Sequence, residues 1–289
     1  MRVLITGAGG QLGQALVTTA PGDVAVTALD RAALDITAPE AVRATVARYS
    51  PDLIINAAAF TQVDRAETDF DQAYAVNAEG PMYLAEVASD TGTRLIHIST
   101  DYVFNGKSSR PYRPNDPTAP LSVYGASKLE GEKRMLSLYP ERALVLRSGW
   151  IYYRRGHNFV NTMLKLMRGC DEIRVVTDQI GTPTWAKTLA RVIWFAAERR
   201  NLHGLYHWTD DGITNWYDFA VAIQEDALAL NLLQAAVPIR PIRTEDYPTP
   251  ARRPAYAVLD TTSTVADFGL MPTDWRVALR QMLAELVHA

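Results

Sequence analysis

Cysteine is all but missing from this chain of 289 residues. Cys170 is the only one, so no intrachain disulfide can form. With no helix dipole or charged partner evident to activate it, Cys170 reads as a small buried hydrophobe. A disulfide-free chain suits the cytoplasm. Long apolar runs are also missing: no stretch approaches the ~20 residues a membrane helix needs. The apolar start Arg2–Thr6 is too short for a signal segment. Positive charge is not in excess, since the net charge is −3. Nucleic-acid binders normally carry a basic patch, and no run of like charge stands out here. The expected partners therefore include neither nucleic acid nor membrane.

What is present alternates strand and helix. Arg2–Thr6, Val24–Leu29, Leu53–Asn56, Arg94–Ile98 and Ala143–Leu146 read as strands. Gln11–Ala20, Thr37–Tyr49, Asp69–Ala88 and Val123–Leu138 read as helices between them. Thr37 with Glu40 has the spacing of a capping box. Continuous apolar strands such as Leu53-Ile54-Ile55 suit a sheet buried on both faces. The pattern implies right-handed βαβ units: an α/β, doubly wound parallel sheet of Rossmann type. Residues 105–120 hold four prolines and read as a surface loop. After Trp150, helices at Phe159–Met167, Ala186–Glu198 and Trp216–Ala229 mix with short strands, and Pro238–Pro254 reads as irregular. We expect a dinucleotide-binding domain over 1–150, with parts of 175–210 returning to it. Residues 151–289 form mainly a smaller C-terminal substrate-binding lobe.

Where the first strand gives way to the first helix, the chain reads Thr6-Gly-Ala-Gly-Gly-Gln-Leu-Gly13. The spacing is Gly7, Gly10, Gly13. Gly7 permits a tight turn, Gly10 lets backbone N–H groups approach a pyrophosphate, and Gly13 lets helix and strand lie close. Asp30, at the end of the second strand, is placed to bind an adenosine ribose. Asp30 would repel a 2′-phosphate and favours NADH; Arg31 could accept that phosphate and favours NADPH. Both readings stay open.

Tyr124-Gly-Ala-Ser-Lys128 follows the long loop. Residues four apart share a helix face. Free tyrosine has a pKa of about 10, and a nearby ammonium would stabilise the phenolate and lower it. Tyr124 could then exchange a proton with a carbonyl oxygen. Ser99 and Thr100 end the fourth strand at the ligand-binding edge of the sheet. Either hydroxyl could polarise a substrate oxygen, and alternation points only one of them into the site.

These residues carry a resemblance. The glycine turn with Tyr-x-x-x-Lys resembles the extended short-chain dehydrogenase/reductases. More narrowly, nearly the whole chain is similar to the dTDP-4-dehydrorhamnose reductase family. The similar stretches are Gly10–Gly13, Asn56–Asp64, Ser99–Gly106, Tyr124–Glu132, Arg147–Tyr152, Asp178–Thr184 and Tyr247–Pro254. The resemblance implies reduction of the C4 ketone of dTDP-4-dehydro-L-rhamnose with NADPH or NADH. It implies Thr100, Tyr124 and Lys128 as the catalytic triad, selecting Thr100 over Ser99. It implies Gly7, Gly10, Gln11, Leu12, Gly13, Asp30, Asp35, Ile36, Ala59, Phe60 and Thr61 at the cofactor, along with Tyr124 and Lys128. It implies Thr100, Asp101 and Trp150 at a nucleotide-sugar substrate. Trp150 could stack on a sugar or base, and the Arg253 guanidinium suits a diphosphate. A homodimer stays open.

Two departures stand out. Some members of the family carry a Glu two residues after the third glycine that helps hold Mg²⁺ at a dimer contact; here the residue is Ala15. One carboxylate ligand is missing, which puts Mg²⁺ in doubt. Gly149 stands where the family usually has Ser, which alters local packing but removes no catalytic group. His203 and His207 flank an apparent strand and do not read as a metal site, so no metal ligands are assigned. Two rivals remain. One is another sugar-nucleotide enzyme of the same superfamily, a reductase, epimerase or dehydratase; a dehydratase would carry Thr-Asp-Glu where this chain has Thr100-Asp101-Tyr102. A catalytically silent dinucleotide-binding subunit could keep the fold without the chemistry.

Overall fold

The computed structural model describes residues 1–287. Five strands, β1 (Arg2–Thr6), β2 (Ala25–Leu29), β3 (Leu53–Asn56), β4 (Arg94–Thr100) and β5 (Ala143–Ser148), pair in parallel in the order 2-1-3-4-5. The strand Gly204–His207 adds a sixth, parallel to β5 at the edge. The period of two is plain in the packing. Val3, Ile5, Leu53, Ile55, Ile96 and Ile98 face one apolar cluster. Leu4, Ile54, Leu95 and Val145 face another. Helices cover both faces, as a fully parallel sheet requires. Helices Gln11–Thr18 and Ala186–Glu198 pack against each other on the first face. Pro39–Tyr49, Gly80–Thr91 and Val123–Leu138 serve the second. The chain runs from β1 to β2 on one side and to β3 on the other, so a crevice opens between β1 and β3 at their carboxyl ends.

Several elements differ from the sequence reading. Thr37 caps nothing: the helix Pro39–Tyr49 starts after Ala38 with no side-chain cap. Thr37 instead gives its N–H and hydroxyl to Asp35 Oδ1, at 3.0 and 2.8 Å. The expected helix Asp69–Ala88 is Phe70–Tyr74, a π turn Ala75–Glu79, then Gly80–Thr91. Pro81 has no N–H to offer that ladder, and the π turn lies just before it. Within Pro238–Pro254, Ile239–Ile242 is a strand, paired in parallel with Ile173–Val176. Pro241 is tolerated there because this is a two-stranded ribbon. The loop 105–120 is not wholly at the surface: Tyr112 is buried and stacks on Phe104 at 4.1 Å. Cys170 is exposed, because it lies just past the end of the helix Phe159–Gly169 in extended backbone.

Candidate active site

Gly7 lies at φ +70°, and a Cβ there would meet the Ala58 nitrogen at 2.5 Å. A Cβ on Gly13 would sit 2.3 Å from the Gly7 carbonyl oxygen. Helix Gln11–Thr18 therefore starts hard against β1. Its N-cap, Gly10, supplies no side-chain cap, so the first amides face outward unclaimed by a side chain. We expect Gly13→Ala to weaken NAD(P)H binding at least about tenfold, or about 1.4 kcal/mol. Fluorescence titration checks this, and an unchanged affinity would contradict the role given to this contact.

The other positions expected at the cofactor gather around this turn. Asp30 is exposed, close beside Gly9, and its Oδ1 accepts the Ala33 N–H. Asp35 is held below the usual carboxylate range, first by the Thr37 N–H. Gln11 ties the turn to the start of the helix Phe159–Gly169, accepting from its N-cap Asn158 Nδ2 at 2.8 Å. The side chains of Leu12 and Ile36 are buried in the core, Ile36 against Gly80, which leaves mainly their backbones for a ligand. Residues Ala59–Thr61 follow β3 and are pinned by Asn77, from the π turn. Asn77 Oδ1 accepts the Phe60 N–H at 2.8 Å, and Nδ2 reaches Phe60 O and Ser127 Oγ. The sequence reading missed Asn77; a π turn leaves no periodic signal.

Ser122 caps the helix Val123–Leu138, accepting from the Gly125 N–H. A Cβ on Gly125 would be 2.3 Å from Tyr102 O, so the helix lies directly on the turn after β4. That approach sets the Tyr124 phenol beside Thr100, whose hydroxyl favours the phenolate. Thr100 Oγ1 also donates to Asp101 Oδ1 at 2.9 Å and accepts the Tyr102 N–H. Ser99 Oγ is buried with no partner, so of the two hydroxyls it is Thr100 that faces Tyr124. Burial pushes the Asp101 carboxyl up to about 7. A Cβ on Gly149 would lie 2.6 Å from Asp101 Oδ2, so Gly149 shapes the space the carboxyl fills.

Lys128 is 1 % exposed. Its Nζ donates to Ile98 O at 2.6 Å and lies 3.2 Å from His97 Nε2. The ammonium expected to make Tyr124 acidic is thus turned to β4. Burial, eased only partly by Thr100, pushes the phenol up to about 12. Burial also draws Lys128 down to about 8. The sequence reading expected an acidified phenol; in this geometry both groups are driven toward neutrality instead.

Trp150 has left-handed backbone, φ +49°, and stacks on Trp216 at 3.5 Å between ring centroids. Trp216 leads into a groove of about 520 Å³ lined by Phe159, Met163, Gln179, Tyr247 and Arg253 among others. In the sequence Trp216 is only the start of a helix, where an aromatic looks like core. Arg253 grips Asp64 with both terminal nitrogens, at 3.0 and 2.7 Å. That pair joins the groove to the segment after β3, and it holds the Asp64 carboxyl below its ordinary value. Ala15 is fully buried, and no oxygen is offered there, so this position does not fit a Mg²⁺ ligand. Among the described residues no group of three His, Cys, Asp or Glu side chains could hold a metal. His207 is buried against Tyr112 O and Arg147, whereas His203 is exposed.

Comparison with known proteins places these features. Residues 1–288 match the family model of the RmlD substrate binding domain. A dTDP-4-dehydrorhamnose reductase of Aggregatibacter actinomycetemcomitans is 44% identical, over 98% of each chain. The crystal structure of a dTDP-4-dehydrorhamnose reductase of Clostridium acetobutylicum is 40% identical, with a TM-score of 0.93 over the full length of both chains. That of Bacillus anthracis, solved in complex with NADP, is 35% identical with a TM-score of 0.92, over 98% of this chain and 99% of that one. A family model spanning almost every residue, and relatives this similar from end to end, show that the chain belongs to the dTDP-4-dehydrorhamnose reductase family.

Proposed function

We propose that the protein reduces the C4 ketone of dTDP-4-dehydro-L-rhamnose to dTDP-L-rhamnose, with NADPH or NADH as the reductant. The observation that carries this reading is the gathering of Thr100, Tyr124 and Lys128 at the carboxyl end of β4, the sheet edge that also bears the glycine turn after β1. The turn fits a dinucleotide: two Cβ positions are filled by backbone, and the helix amides are uncapped. Bound there, the dinucleotide supplies the hydride. Tyr124 gives its proton to the ketone oxygen, and a phenol with its pKa near 12 is fully protonated for that task. Thr100 polarises the same oxygen by a hydrogen bond. Lys128 is within one helical turn of Tyr124 and would hold the ribose hydroxyls once Nζ leaves the Ile98 carbonyl. Trp150 and Trp216 form the wall toward the groove. There Tyr247 and Arg253 suit a base and a diphosphate, with Arg253 shared between Asp64 and the phosphate oxygens.

Thr100 can donate to a ketone only when Asp101 does not take its hydrogen. Asp101 is protonated below about pH 7 and ionised above it. Ionised, its Oδ1 accepts from Thr100; protonated, it can donate instead. We therefore expect kcat/KM for ketone reduction to fall as pH rises through about 7, and this limb to vanish in Asp101→Asn. A pH profile with the same limb in both proteins would contradict the assignment.

The overall reading is tested by NADPH oxidation. Absorbance loss on adding the ketosugar supports it. Conversion of dTDP-glucose with loss of water, and no oxidation on the ketosugar, would overturn it in favour of a dehydratase.

A further inference from the structure

His97 is fully buried in β4 and plays no part in the scheme above. It joins a row of side chains running beneath the site. Thr6 Oγ1 donates to Asn56 Oδ1 at 2.7 Å, Asn56 Nδ2 lies 3.0 Å from His97 Nδ1, and His97 Nε2 lies 3.2 Å from Lys128 Nζ. The order of protons in this row can be deduced. The Ala58 backbone N–H, which can only donate, points at one atom of the Asn56 amide at 3.1 Å. That atom must be the oxygen. The Asn56 nitrogen therefore faces His97 Nδ1, and an amide nitrogen is a donor only. His97 Nδ1 must accept and carries no proton. Burial keeps the ring well below its ordinary pKa, so it is neutral. Its single proton is then on Nε2 and points at Lys128 Nζ.

An ammonium has three donors and no lone pair. At 3.2 Å from an N–H it would set donor against donor. An uncharged amine accepts from His97 with its lone pair and still donates to Ile98 O. We propose that, before a dinucleotide binds, Lys128 is an uncharged amine held in that state by His97, and that dinucleotide binding is coupled to uptake of one proton from solvent. His97 is thus a positioning residue that acts through Lys128. The surroundings agree. Glu132, one turn along the helix, is the nearby acid that favours charge on Lys128. Its carboxylate is gripped by Arg147 of β5, at 2.6 to 3.1 Å. Tyr124 and Asp101 interact with Thr100. Burial, only partly offset by Glu132, draws Lys128 down to about 8, and the donor facing it pushes further the same way. The second half rests on the function proposed above: holding ribose hydroxyls beside a phenol takes Nζ away from the His97 N–H, and the charge then becomes favourable.

The test of the first half is ¹⁵N NMR of histidine-labelled protein without nucleotide, with the His97 signals assigned from their loss in His97→Gln or, if that variant does not fold, His97→Asn. The expected result is a neutral ring protonated at Nε2. A ring protonated at Nδ1, or an imidazolium, would overturn the proposal. The second half is read by calorimetry of NADPH binding at about pH 8.5 in two buffers of different ionisation enthalpy. The expected slope is close to one proton taken up, and close to none in Lys128→Met. Binding without uptake would overturn the coupling. No binding at all would overturn the proposed function and the coupling with it, leaving the tautomer to decide the first half.

Discussion

Replacing Tyr124 with Phe is expected to lower kcat for ketone reduction by about 10²- to 10⁴-fold, the usual contribution of one positioned general acid. Dinucleotide affinity should change little, because the phenol lies beside Thr100 at the end of β4 and not in the glycine turn. The fold should survive as well. The ring keeps its edge-to-face packing on Tyr102, at 5.6 Å between centroids, and the substitution removes one oxygen without leaving a cavity. The prediction separates an enzyme from a silent binding subunit. Steady-state NADPH oxidation with the ketosugar, together with a fluorescence titration of nucleotide, reads both quantities. Equal rates in the two proteins would remove Tyr124 from the chemistry.

The largest expected effect on stability lies beneath the same helix. Arg147 and Glu132 form an ion pair whose side chains are each 3 % exposed. Arg147 Nε and Nη2 both engage the carboxylate, and Nη1 donates to Pro114 O. The guanidinium also lies over the Phe104 ring, 5.2 Å from its centroid. Removing one member strands the other charge in a place water cannot reach. Arg147→Met is therefore expected to cost about 3–5 kcal/mol of stability. Glu132→Gln should cost less, since an amide oxygen still accepts from Arg147. Arg147→Met combined with Glu132→Leu should regain much of the loss, because an apolar pair of similar volume satisfies the site. Urea denaturation midpoints at constant m-value measure this. A loss under about 1 kcal/mol for the single Arg147 variant would mean that the pair is solvated or replaceable.

The parallel sheet was legible because its strands carry uninterrupted apolar runs, with glycines standing where backbone must approach backbone. Gly7, Gly13 and Asp30 come together as their spacing implied, since one βαβ unit contains them all. Tyr124 and Thr100 come from different elements, and only position relative to the strands suggested their meeting. What the sequence could not convey were contacts that depend on rotamers across long separations. Lys128 turns to β4 because His97 and the Ile98 carbonyl are there, 31 and 30 residues away. Arg253 is claimed by Asp64, 189 residues distant. Trp216 finds Trp150 through packing among short elements, where periodicity is weak. Asn77 depends on a π turn, whose one extra residue per turn no heptad-like pattern reveals. The capping box at Thr37 failed for a local reason: Asp35, two residues earlier, offers its carboxylate first.

Proton donation by Tyr124 and hydride delivery to C4 are tested together by isotope. The protein is incubated with dTDP-4-dehydro-L-rhamnose and NADPH deuterated on the transferring face of the nicotinamide, and the sugar is analysed by NMR. A ketone reductase working through this phenol gives product with one deuterium at C4, formed far more slowly in Tyr124→Phe. Deuterium anywhere else on the ring, or product formed equally well without the phenol, would contradict it.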